Sequence, residues 1–129
     1  MNNATITFHT NKKPYPTLLC TIADTYKKKT LGLMHTKSLP QNHGMLFTFN
    51  YTLPRLFWMK NMTIPLDIIF INKKFIITKI KQINPHTTPL HHDYYALASA
   101  KYIIETHQHY CKNHTITTNT TLTIKQQTI

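Results

Sequence analysis

The sequence predicts an α+β domain, mostly antiparallel β-sheet with one main helix. Three patterns carry the prediction: short runs in which polar and apolar residues alternate, an apolar stretch from Ile64 to Ile71, and one window after Asp24 suited to a helix start. Thr5 to His9 alternates, and Thr17 to Ala23 adds an apolar, β-prone run after the turn-forming Lys13-Pro-Tyr-Pro16, so the two read as a first hairpin. Asp24 can accept hydrogen bonds from the free N–H groups of a helix running to Met34, with Tyr26 and Leu33 on one side. Lys27, Lys28 and Lys29 form a solvated face there, although lysines so early oppose the helix dipole.

Ser38 to Gly44 reads as a loop by its Pro and Gly, Met45 to Phe49 as a buried strand, and Asn50 to Pro54 as a second turn. Leu56 to Lys60 and Leu66 to Ile71 are the strongest strand candidates, separated by Asn61 to Pro65. Asn72-Lys73-Lys74 closes a hairpin into Phe75 to Ile83, whose alternation of Ile with Lys suits a strand with one wet face. Asn84 to Tyr95 carries two prolines and three histidines without periodicity and reads as an irregular loop. Tyr102 to Thr106 returns to strand, Gln108 to Asn113 has room for a second short helical turn, and Thr115 to Thr117 with Thr121 to Lys125 finish the sheet. The polar tail beyond is expected to fray.

A chain of 129 residues fits one domain, 1–129, and folding it buries roughly two-thirds of the surface of the unfolded chain. Its aromatic fraction of 11% is too high for a disordered chain. Fifteen basic residues against Asp24, Asp67, Asp93 and Glu105 give a formal charge of +11, enough to attract nucleic acid or an anionic surface without a dedicated site. Only one of them, Arg55, is arginine, which disfavours sequence-specific reading of DNA through bidentate forks. A bias toward Thr, Ile, Lys, Asn and His, as A/T-rich codons would produce, weakens the nine histidines as a metal signal. Cys20 and Cys111 do not make a secreted disulfide framework and are expected to be reduced. With no apolar leader segment and no run near eighteen apolar residues, a cytoplasmic location without a transmembrane segment is expected.

Ordered blocks carry a family resemblance: Ala23-Asp24, Gly32-Leu-Met34, Gly44-Met-Leu-Phe47, Phe57-Trp-Met-Lys-Asn61, Ile64 to Ile71, and Tyr102-Ile-Ile-Glu105. In order and spacing the chain resembles the domain of unknown function 192 family, also called uncharacterised protein family 0127. The resemblance implies a compact α+β unit whose strands wrap into a barrel-like sheet with the helix at one side, and it implies no reaction. Members usually have glycine after the Glu-containing strand and a Gly-Asp pair near the last turn. Here His109 and Asn119-Thr120 stand there, and Asn119 is the better suited to positive φ.

Asp67 is the sole charge from Ile64 to Ile71, and a buried carboxylate is costly unless bonded. A structural bracket to backbone N–H groups, Asn61 or Lys60 is the commoner outcome; a ligand acceptor or raised-pKa base at a cleft is the functional one. Trp58 and Lys60 share a face if their segment is a strand, and Trp58 could floor a pocket, although a core tryptophan is more usual. The methionines at 34, 45, 59 and 62 more often plug a core than bind metal. His107, His109 and Cys111, with His91-His92-Asp93, offer ligand types that zinc accepts, but not at a diagnostic spacing. No phosphate loop, Gly-x-Ser-x-Gly elbow or carboxylate pair is present, so no catalytic residue, metal or cofactor is assigned and a non-enzymatic role is expected. The leading expectation is a small binding module that takes a small polar ligand or peptide near Trp58, Lys60 and Asp67. A basic surface protein that associates with nucleic acid or anionic membrane ranks second, and a metal-assisted hydrolase third.

Overall fold

The structure is a computed structural model and describes residues 2–128. Seven strands form one sheet: β1 (Asn2–His9), β2 (Thr17–Ala23), β3 (His43–Trp58), β4 (Leu66–Ile71), β5 (Ile77–Ile83), β6 (Tyr95–His107) and β7 (Thr121–Thr128). Helix α1 (Tyr26–Leu31) and a single turn, α2 (Tyr110–Asn113), complete the chain with a 3₁₀ turn at His92–Tyr94. The strand order is β5-β4-β6-β3-β2-β1-β7, antiparallel except for β2 against β3, where the crossover through α1 brings the chain back to run in the same direction. The sheet is not closed into the barrel that the resemblance implied; one isolated bridge, Ile76 to Thr121, with backbone hydrogen bonds between Phe75–Ile77 and Asn119–Leu122, brings only the starts of its two outer strands together.

Both faces of the central strands are buried, which explains why Leu66 to Ile71 is an unbroken apolar run apart from Asp67. Alternation sends Ile69 and Ile71 to one core with Phe8, Leu18, Leu46 and Ile104. Leu66, Ile68 and Phe70 go to a second core with Phe47, Met59 and Ile103. Asp67 therefore faces the first core and Glu105, in phase with Ile103, the second.

Several elements differ from the expectation. Asn50 to Pro54 is not a turn: β3 runs through it, with a register shift between Thr48 and Leu53. Beyond Phe47 the strand has no partner on its side away from β6, and an edge is where a sheet tolerates proline. Helix α1 begins one residue later than expected, with the Thr25 side chain capping Lys28 N–H, while Asp24 reaches the Lys28 ammonium at 3.6 Å. Strand β6 starts at Tyr95 rather than Tyr102, and Thr115 to Thr117 is not strand: Thr115 ends the turn after α2 at φ 58° and the next two residues are irregular. The tail beyond Lys125 stays in β7, paired with β1 as far as Thr128 opposite Asn2; the two terminal residues of the expected frayed ends lie outside the described residues.

Candidate functional site

A cavity of about 640 Å³ opens between α1, the segment Gly32 to Met34, and the second half of β3. Its size lies in the range of small-molecule sites. Phe47 and Phe57 form its apolar wall, their rings edge to face at 5.0 Å, and Trp58 stands at its border, 46% exposed.

Glu105 lies at its floor. Its cross-strand neighbours are Met45 on β3 and Ile68 on β4, so no polar side chain stands beside it in the sheet. Oε1 is buried without a hydrogen-bond partner, and burial pushes the carboxyl up to about 8. At neutral pH it is mostly a carboxylic acid, able to donate as well as accept. The Gly32 backbone, at φ 49° and ψ −129°, passes close to it: a Cβ there would sit 3.3 Å from both Oε1 and the Phe47 ring. Gly44 has a different constraint, because a Cβ would meet the Glu105 carbonyl at 2.5 Å and force β3 from β6.

Arg55 and Lys29 line the mouth. Both stack on Phe49, with the guanidinium carbon 3.8 Å and the Lys29 ammonium 4.4 Å from the ring centroid. Arg55 Nη2 donates to the Tyr51 carbonyl at 2.6 Å, and its Nε is buried without a partner. Lys29 is lowered from the usual lysine range by burial and then by the Arg55 charge, with Asp24 opposing.

The structure separates the three residues singled out from sequence. Trp58 borders the cavity, and Lys60, in the turn after β3, holds its ammonium 5.3 Å from the Trp58 ring centroid. Asp67 is on the opposite face of the sheet, where Oδ1 accepts from His109 N–H and Oδ2 from Cys111 N–H, each at 3.0 Å. That is the backbone bracket, made with α2 rather than with Asn61 or Lys60. His109 enters the turn at φ 69°, which is why glycine would suit its place. Sequence reasoning missed Glu105 and Arg55 as site residues, although Glu105 carries the signal that drew attention to Asp67, an acid inside an apolar run.

His107, His109 and Cys111 point to different partners: His107 Nε2 meets the Pro40 carbonyl at 3.2 Å, His109 Nδ1 meets Gln82 Nε2 at 3.1 Å, and the Cys111 thiol is buried. Burial, then Asp67, raises the Cys111 thiol, and burial pushes Cys20 up to about 12, so neither is primed as a nucleophile. His91, His92 and Asp93 do converge, their ligand atoms within 4.8 Å, but on an exposed turn where Asp93 already meets Lys81 at 3.4 Å.

A model of the DUF192 family, described as Uncharacterized ACR, matches residues 6–124. The crystal structure of a protein provisionally described as a transcription regulator, from Sinorhizobium meliloti 1021, superposes with a TM-score of 0.81 at 25% identity, covering 95% of this chain and 93% of that one. The crystal structure of a protein of unknown function from Novosphingobium aromaticivorans DSM 12444 superposes with a TM-score of 0.76 at 23% identity, covering 92% and 83%. No curated protein matches. No helix among the described residues is long and apolar enough to cross a membrane.

Proposed function

The chain belongs to the DUF192 family, and we propose that this member is a binding module for a small molecule, held in the cavity between α1 and the second half of β3. The observation that carries the reading is the Glu105 carboxyl, buried on an apolar floor with Oε1 unpartnered. A buried polar atom without a partner costs about 1–3 kcal/mol, a cost that a bound ligand's hydrogen bond would offset. The expected ligand region keeps Trp58 and Lys60 and adds Glu105, Arg55 and Phe47; Asp67 serves as the bracket for α2.

Trp58 is the single tryptophan, so its fluorescence reports on the cavity mouth. Titration with cinnamamide, a neutral planar probe, is expected to change Trp58 emission saturably and to move the backbone amide resonances of Phe47 and Phe57. A linear, non-saturating response with no shift at those amides would remove the reading.

A second reading has its own support in the formal charge of +11 and in the provisional description of the Sinorhizobium protein. In it the basic surface associates with nucleic acid, and the affinity falls steeply with salt, log K declining nearly in proportion to the phosphates neutralised. Salt-independent binding to duplex DNA would count against it.

A further inference from the structure

Resting on the pocket reading above, we infer that the cavity takes a small organic anion: a planar apolar body carrying one oxyanion group, with the anion on Arg55 Nε–H and Lys29 and the body against Phe47 and Phe57. Among the described residues, the buried side-chain polar atoms without a partner are Arg55 Nε and Glu105 Oε1, and both residues line this cavity. A buried N–H needs an acceptor, and the protein supplies none there.

The guanidinium is already held in place, by Phe49 on its face and the Tyr51 carbonyl on Nη2, so little side-chain freedom is lost when Nε gains a partner. Lys29 and Arg55 are like charges on one ring, each lowered from its usual range by burial and Lys29 also by the Arg55 charge, so an oxyanion bound at Arg55 Nε–H relieves repulsion that the free protein carries. The formal charge of +11 draws anions toward the molecule and repels cations. Glu105 does not oppose an anion at neutral pH, because its carboxyl is mostly protonated.

The test is a titration of the isotope-labelled full chain with three probes of one shape, cinnamate, cinnamamide and cinnamylamine, followed at the amides of Phe47 and Phe57. Cinnamate is expected to bind at least about tenfold tighter than cinnamamide, with cinnamylamine weakest, and Arg55→Gln to bring the ratio of the cinnamate and cinnamamide affinities to about one. Lys29→Gln, on α1, is expected to reduce the preference in part, and serves as the variant if Arg55→Gln does not fold. Cinnamamide binding as tightly as cinnamate, or a preference that survives the folded variant, overturns the anion assignment and leaves the pocket standing. No response at Phe47 or Phe57 to any of the three overturns the pocket and the assignment with it.

Discussion

Glu105→Gln should flatten one part of the stability-versus-pH profile. The carboxyl's ordinary value of 4.5 is raised to about 8 in the folded protein. Below the lower value it is protonated whether the chain is folded or not, and its ionisation has no effect on stability. Between the two, the unfolded chain releases a proton that the folded chain keeps, so stability falls as pH rises; above the upper value the loss is complete. At about 1.4 kcal/mol for each tenfold change in proton affinity, the loss is on the order of 5 kcal/mol, an upper bound because water entering the cavity would lower it. The charged groups that share the cavity lining with Glu105 are Lys29 from α1 and Arg55 from β3, while β4 and the near part of β3 present Ile68 and Met45. Glutamine keeps the shape and cannot ionise. Urea unfolding of both proteins from about pH 4.5 to about pH 9 should show the variant gaining on the wild type by about 2–5 kcal/mol across that range. Histidine titration cancels in the difference. Profiles that stay parallel within about 0.5 kcal/mol would refute the buried, unpaired carboxyl.

Asp67→Ala leaves the Cys111 N–H buried and the His109 N–H part-buried without an acceptor and should cost about 2–3 kcal/mol, with hydrogen exchange rising first at those two amides; Asp67→Asn, which keeps one acceptor, should cost about half as much. His109→Gly relieves a side chain held at φ 69° and should stabilise the protein by up to about 1 kcal/mol in thermal unfolding, less whatever the Gln82 contact contributes. Gly32→Ala places a methyl 3.3 Å from Glu105 Oε1 and from the Phe47 ring, in a backbone conformation that favours glycine. It should cost about 1–3 kcal/mol and weaken cinnamamide binding as well, whereas an unchanged melting temperature would place Gly32 elsewhere.

The sheet was legible where burial and alternation agree. The first hairpin, the strand Leu66 to Ile71 and the turn-then-strand that becomes β5 follow from period-two patterning. The long ribbon of β3 and β6 was not. Asn50, Pro54 and the small residues from Ala96 to Ala100 have the local chemistry of turns and loops, yet Leu53 to Trp58 pairs with Tyr95 to Ala100. Long-range pairing overrode local preference there, with the register shift before Leu53 absorbing the mismatch. The parallel contact of β2 with β3 was equally invisible, since it depends on a crossover whose helix is only six residues long.

The two buried acids show why the site was harder to read than the sheet. Each is a single carboxyl in an apolar strand, and the sequence marks both alike. Pairing puts Asp67 opposite Thr106 and Ile68 opposite Glu105, so adjacent strands send the two carboxyls to opposite faces. On one face, a helical turn 42 and 44 residues along the chain delivers two N–H groups, and Asp67 becomes structural. On the other, the helix that follows β2 is short and buries no residue of its own, so nothing arrives to bond Glu105 and a cavity remains. Arg55 joins it from the unpaired edge of β3, held by stacking rather than by an acid. A buried acid becomes a bracket when a later segment reaches it with donors, and a candidate binding group when the covering segment is too short to do so.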